Sequence, residues 1–351
     1  MLEVVVTEAM MRAWIVTSPG PIDDGPLELV QRPVPRPGPG QVRLRVAVCG
    51  VCRTDLHLAE GDLIPRHRGA IPGHEVVGYI DECGEGATRF NLGDRVGAAW
   101  LASTCGVCRF CRRASENLCV DPRFTGWDVD GGFAEFMVAD QRFLYSLPAQ
   151  FSDEAVSPLL CAGIIGYRSL RRSELRPHGR LGLYGFGGSA HLTAQVALAE
   201  GASVYVITRS RKDQDLARAL GATWVGGVRD RPPEPLDAAI IFAPVGTLVP
   251  DALAALDRGA TLAIAGIHLS DIPALNYADH LFQERTLRSV TANTRTDGEE
   301  FLALAARIAI QPTLTMYEFD EVDRALSDLA NDRFGGAAAI RVSSLDEGVV
   351  A

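Results

Sequence analysis

Leu181-Gly182-Leu183-Tyr184-Gly185-Phe186-Gly187-Gly188-Ser189-Ala190 is the stretch that decides the fold. Residues 181–184 read as a short buried strand. A glycine-rich turn follows, and a helix opens near Gly188. Gly185 permits the tight turn, and Gly187 lets the backbone approach a pyrophosphate. The helix start offers unpaired N–H groups and a positive dipole end to phosphate oxygens. Phe186, Gly188 and Ser189 complete this candidate cofactor turn, and Ala190 stands where a third glycine is often found. The alternative is a plain glycine-rich turn.

Outward from this stretch, strands and helices alternate. Strands are expected at 203–208, 238–243 and 261–267, with helices near 162–172, 188–200, 211–220 and 247–257. Such alternation implies a parallel sheet with right-handed crossovers, a doubly wound Rossmann-type α/β domain. On both sides the texture changes. Residues 42–48, 75–81, 94–100 and 133–138 are β-rich and bounded by Gly or Asp. After about 294 a helix (298–309) and a few strands return. The expected domains are therefore 159–294 for the dinucleotide-binding part, inserted in a mostly β domain of 1–158 and 295–351.

Composition excludes other classes. The 351 residues are too many for one ordinary core and suit two domains. With 47% hydrophobic and 22% charged residues, the chain reads as globular and soluble. A formal net charge of −10 argues against nucleic acid as a partner. No apolar run reaches the ~18–20 residues that span a bilayer, so no membrane is expected. Residues 1–11 hold two glutamates and no basic segment, so no secretory signal is expected and the cytoplasm is the expected location.

The second expected strand bears on the cofactor. An acid at its end would hydrogen-bond the ribose 2′-OH of NAD. Here the strand runs into Thr208-Arg209-Ser210-Arg211-Lys212, and Lys212 is the only lysine in the chain. Ser210 is a candidate N-cap, which puts Arg211 and Lys212 in the first helical turn, where cations oppose the macrodipole. A 2′-phosphate would offset that cost, so NADP(H) is favoured over NAD(H). A solvated basic turn is the alternative.

Eight cysteines are too few for a disulfide scaffold. Cys105-x2-Cys108-x2-Cys111-x7-Cys119 places four thiolates on one loop, a closed tetrahedral set for a structural zinc. Cys52 and His74 lie in the runs Cys52-Arg53-Thr54-Asp55-Leu56-His57 and Gly73-His74-Glu75. Cys161 lies in Leu159-Leu160-Cys161-Ala162-Gly163. Singly, Cys161 reads equally as core and His74 as a turn cap. Cys49 and Cys83 are expected to be packing residues. His67, His178, His191, His268 and His280 are expected on the surface or on helices.

These runs, the four-cysteine loop and the glycine turn follow one another as in the zinc-dependent medium-chain alcohol dehydrogenases, which the chain resembles from about Arg12 to about Val342. The resemblance implies a GroES-like catalytic domain around the Rossmann insertion. It implies that Cys52, His74 and Cys161 hold a catalytic zinc, with Glu75 behind it as a transient ligand and Asp55 orienting His74, hence two zinc ions per chain. It implies an alcohol dehydrogenase or aldehyde reductase that passes hydride between a zinc-bound alcohol and a nicotinamide dinucleotide. Thr54 and His57 match the proton relay, Arg53 a contact to the pyrophosphate, and Gly266 and Ile267 the backbone that holds the carboxamide. Trp100 and Leu101 match pocket-lining positions. Leu63 stands where some relatives place a tryptophan, and Trp127 is expected nearby. Leu63 also reads as loop packing. The family's C-terminal phosphate-binding arginine has no counterpart in Gly335-Gly336-Ala337-Ala338-Ala339.

The resemblance further implies an alcohol or aldehyde as substrate and a homodimer or homotetramer. The first nine or so residues are expected to be loosely held. The competing readings are a specialised polyol or formaldehyde dehydrogenase of the same family, a non-catalytic cofactor-binding relative, and a zinc-ribbon interaction module.

Overall fold

The computed structural model describes residues 9–343, so the loosely held start falls almost wholly outside the described residues. The chain divides into two units. One runs up to Leu160 and takes in Met316–Arg333 and the chain from Ala338. The other is Cys161–Thr315 with Phe334–Ala337. The second unit therefore extends past 294. Its helix Arg295–Ile308, assigned by sequence to the first domain, is tied to the helix Ala162–Arg172 by an Arg168–Asp297 pair at 2.6 Å and a Tyr167–Glu300 hydrogen bond at 2.8 Å. Capped by Thr294, it starts at Arg295, three residues earlier than expected. The Thr294 hydroxyl accepts from the Asp297 N–H, and the Asp297 carboxylate accepts from the Thr294 N–H.

The second unit holds a six-stranded parallel sheet. Its order is Trp224–Gly226, Ser203–Ile207, Arg180–Tyr184, Leu236–Ile241, Leu256–Ile264 and Thr286–Ser289. The chain steps outward from Arg180–Tyr184 in one direction, then returns to its other side. That reversal is a topological switch point, where doubly wound sheets bind ligands at the carboxyl ends of their strands. The three central strands, Ser203–Ile207, Arg180–Tyr184 and Leu236–Ile241, are almost wholly buried: Leu181, Leu183, Val204, Val206, Ile240 and Ile241 lie inside. This is why they read as continuous apolar runs rather than alternating ones.

The first unit is built on a seven-stranded sheet. Its central strand, Gln41–Val51, pairs antiparallel with Val76–Cys83, Phe136–Asp140 and Ala337–Arg341. Val76–Cys83 pairs in turn with Arg95–Ala98. Val42, Leu44 and Val46 point inward between half-buried neighbours, as the alternation in sequence requires. Cys49 is fully buried, as a packing residue should be, whereas Cys83 is exposed at the last position of its strand. Among the described residues no helix is long and apolar enough to cross a membrane.

Candidate metal centre and dinucleotide turn

Two neighbouring strand ends bring the first metal set together. Cys52 directly follows Gln41–Val51, and His74-Glu75 directly precede Val76–Cys83. Because Cys49 lies opposite Val76 in the ladder, both ends fall at one edge of the sheet. The 3-10 turn Ser157–Leu160 lies on the next strand, where a Cβ on Gly97 would meet Leu160 at 2.7 Å. Cys161 is the residue after it. The ligand atoms of Cys52, His74, Glu75 and Cys161 all lie within 4.8 Å of one another.

Asp55 organises this set. It sits in the first turn of the helix Arg53–Glu60 and is 2% exposed. One oxygen accepts from the Cys52 N–H at 3.0 Å. The other accepts from the Gly73 N–H at 3.0 Å and lies 2.9 Å from His74 Nδ1. With Nδ1 committed to the carboxylate, Nε2 is the nitrogen left for a metal. Burial disfavours a charged His74, but the Asp55 carboxylate and the Cys52 sulfur outweigh it and hold the ring well above the usual histidine range. Thr54 Oγ1 lies 3.8 Å from Cys52 Sγ. His57, one turn further along the helix, has Nδ1 2.8 Å from Asp62. Arg53 donates to the Leu329 carbonyl at 3.3 Å and to Asp332 at 3.0 Å.

The four-cysteine loop folds back on itself. Its sulfurs lie 3.4 Å (Cys105–Cys119), 3.5 Å (Cys108–Cys111) and 4.0 Å (Cys105–Cys111 and Cys108–Cys119) apart. Four sulfurs on ~2.3 Å arms around a tetrahedral zinc would be ~3.8 Å apart. Backbone N–H groups, that of Cys111 first, lower the Cys108 thiol to about 6, while burial pushes Cys119 up to about 11. The loop is therefore partly prepared as thiolate. Both sets fit zinc: one is a closed Cys₄ cage, the other a Cys/His/Cys set with a carboxylate beside it.

In the second unit Gly185 ends the strand Arg180–Tyr184 with φ +86°, and a Cβ there would come within 3.0 Å of the Ala243 backbone. Gly187 caps the helix Gly188–Ala199. Its φ is negative, and a Cβ on it would meet nothing within 4 Å. Its front is therefore open, and the turn fits a bound pyrophosphate. Phe186 is buried beneath it, and Ser189 is half-buried on the first helical turn. Thr208 directly follows Ser203–Ile207, and the Ser210 hydroxyl accepts from the Asp213 N–H at 3.4 Å. Arg209, Arg211 and Lys212 are exposed, the last two in the first turn of the helix Arg211–Ala219. Gly266 and Ile267 lie just beyond the strand Leu256–Ile264, and Ile267 is 53% exposed.

Residues 38–149 match the alcohol dehydrogenase GroES-like domain, and residues 188–307 match the zinc-binding dehydrogenase domain. A probable alcohol dehydrogenase AdhA of Mycobacterium tuberculosis is 58% identical over 341 residues, which cover 96% of this chain and 99% of that protein. The chain is a member of the zinc-dependent medium-chain alcohol dehydrogenases. An alcohol dehydrogenase of Geobacillus stearothermophilus is 32% identical over 90% of this chain and 96% of its own length. The cobalt- and zinc-bound thermostable alcohol dehydrogenase of Pyrobaculum aerophilum superposes with a TM-score of 0.86 at 25% identity, over 95% of this chain and all of that one. This alcohol dehydrogenase thus uses zinc and a nicotinamide cofactor, and has two candidate zinc sites.

Beside the first metal set stands an aromatic wall. The Trp100 ring meets His74 edge-on, with centroids 5.0 Å apart. Trp100 stacks on Phe124 at 4.9 Å and on Trp127 at 6.1 Å. Trp127 donates through Nε1 to the Ile64 carbonyl at 2.9 Å, beside Leu63, and Arg66 lies 4.6 Å above its ring. Leu101 is buried next to Trp100. Three residues beside the candidate sites of this alcohol dehydrogenase carry no signal in the sequence. Phe124 carried no motif. Gly50 stood in a strand. His191 is on its expected helix but is completely buried, with both ring nitrogens near backbone partners.

Proposed function

We propose that this alcohol dehydrogenase uses NADP(H) in preference to NAD(H), and acts on alcohols and aldehydes larger than ethanol. The basic turn carries the cofactor reading. No acid stands between Ile207 and Asp213, and three cations crowd a helix N-terminus whose dipole opposes them. A charge-assisted pair to phosphate is worth roughly 1.5–3 kcal/mol, so kcat/KM should favour NADP by about tenfold or more. Assays with both cofactors test this, and a higher value with NAD would overturn it.

Zinc, when bound, supplies a Lewis acid that lowers the pKa of a hydroxyl group, and the nicotinamide supplies the hydride acceptor. In this reading Cys52, His74 and Cys161 hold the catalytic metal, with Glu75 as an alternate ligand, and Asp55 keeps His74 Nε2 directed at it. The Thr54 hydroxyl would accept the substrate's proton as it passes its own onward, and His57, its ring steadied by Asp62, would be the outer base that releases a proton to solvent. Cys105, Cys108, Cys111 and Cys119 hold the structural metal. Gly185, Phe186, Gly187, Gly188 and Ser189 receive the pyrophosphate, and Arg53 matches a position that in the family contacts the same group. Thr208, Arg209, Arg211 and Lys212 receive the adenosine end, and Gly266 and Ile267 the carboxamide.

Trp100, Leu101, Trp127 and Leu63 form the substrate wall. Its stacked rings favour a flat apolar substrate. Eight cysteines with no disulfide among them favour the cytoplasm, and the family resemblance favours a homodimer or homotetramer. Light scattering showing a stable monomer would exclude the latter.

A further inference from the structure

We infer that His191, acting through the Gly187 backbone, is a positioning residue for the dinucleotide's pyrophosphate. The inference rests on the reading of Gly185–Ser189 as the pyrophosphate turn. His191 lies on the first turn of Gly188–Ala199 with no exposed surface. Its Nε2 accepts from the Thr313 N–H at 3.2 Å, so the ring proton belongs on Nδ1. Nδ1 lies 3.3 Å from the Gly187 carbonyl, which also accepts the His191 backbone N–H at 3.1 Å. Both bonds pull the Gly187 carbonyl into the helix, which turns the opposite side of its peptide outward. Burial lowers the His191 ring to about 4, so it stays neutral in this tautomer at neutral pH.

The bracing continues behind the turn. Gln195, one helical turn on, donates to the Gln311 carbonyl at 2.9 Å and accepts from the Gln311 N–H at 2.8 Å. The Thr313 carbonyl accepts from the Ala337 N–H at 2.8 Å. Gly336 lies against the helix start, where a Cβ on Gly188 would be 3.4 Å from its carbonyl. The path Gly187, His191, Thr313, Ala337, Gly336, Gly188 is a closed ring within the second unit. It holds the back of the glycine turn while the front of Gly187 stays open. An apolar residue at 191 would fill the volume but leave the Thr313 N–H without its acceptor and the turn with one bond fewer.

The test compares His191→Leu with His191→Asn, whose amide can keep the donor to Gly187. Dissociation constants for NADPH and NADH are read by fluorescence titration, with melting temperatures alongside. The leucine variant should bind its dinucleotide roughly fivefold more weakly or worse, and the asparagine variant should recover most of that loss. Unchanged binding in the leucine variant would overturn the inference. So would an equal loss in both variants, or failure of both to fold. Gly187→Ala separates the underlying reading, since its methyl group meets no protein atom. If Gly187→Ala leaves binding intact, the pyrophosphate reading fails; if it weakens binding while His191→Leu does not, only the role of His191 fails.

Discussion

The carboxylate of Glu75 occupies the space that a side chain on Gly50 would need. A Cβ there would lie 1.9 Å from Glu75 Oε2, and the two backbones are joined by a Gly50 N–H to Glu75 carbonyl bond of 2.9 Å. This glycine, one residue from the end of its strand, is thus the seat of a buried acid beside two candidate metal ligands. Gly50→Ala should displace that carboxylate and lower kcat/KM at least tenfold or so, with a destabilisation of about 1–3 kcal/mol. Glu75→Ala added to Gly50→Ala should restore stability without restoring turnover. Steady-state kinetics and urea unfolding would check both, and full activity in Gly50→Ala would refute the role given to Glu75.

The two metal sets should fail differently. Freshly purified protein should contain about two zinc ions per chain by elemental analysis. Cys52→Ser should abolish turnover while the fold persists. Cys108→Ser should lose one metal and unfold at a lower temperature, because a closed site contributes folding free energy. A fully active protein with a single metal would refute the two-site assignment.

Acid should weaken the fold through His191. Its ring titrates near 4 in the folded chain against 6.5 for an unhindered ring. Between those values the unfolded chain takes up a proton that the fold refuses. This contribution is complete above about pH 6.5, is lost as the pH falls toward 4, and levels off below. It amounts to about 3 kcal/mol. Comparing urea midpoints of wild type and His191→Asn at about pH 7 and pH 4.5 isolates it. An equal acid loss in both proteins would show that His191 does not carry it.

Removing the basic turn should change cofactor choice rather than turnover. Arg209→Ala with Arg211→Ala should weaken NADP(H) binding roughly tenfold and leave NAD(H) nearly unchanged. Parallel losses for both cofactors would mean that the turn does not meet a 2′-phosphate.

Trp127→Ala should cost aromatic alcohols more than short aliphatic ones. It removes one face of the Trp100–Phe124–Trp127 stack and the anchor at the Ile64 carbonyl. A selectivity change of about fivefold in kcat/KM is expected. An equal effect on both substrate classes would mean that the wall shapes the loop alone.

Much of this was legible because the signals are local. The Ser203–Ile207 strand, the Ser210 cap and the helix after it follow from period and capping chemistry over a few residues. The four-cysteine loop is likewise a spacing signal. Cys52 and His74 are brought together by strand pairing across distant sequence, so their partnership was reached through a family resemblance. The boundary near 294 misled because Arg295–Ile308 earns its place through Arg168, Tyr167 and other partners remote in sequence. Gly50 was silent for the same reason: what fills its missing side chain is twenty-five positions away. His191 was silent because a histidine on a helix looks the same in sequence whether it faces water or bonds the turn before it.

The single lysine has a practical consequence. Lys212 stands exposed in the first turn of Arg211–Ala219. Among side chains, an amine-selective, imine-forming reagent therefore has one target, and it lies on the turn proposed for the adenosine end. Lysine-directed labelling of the native protein becomes an occupancy gauge. Saturating dinucleotide should slow modification of Lys212 while the amine of an added reference peptide reacts at an unchanged rate, a ratio that mass spectrometry reads within one sample.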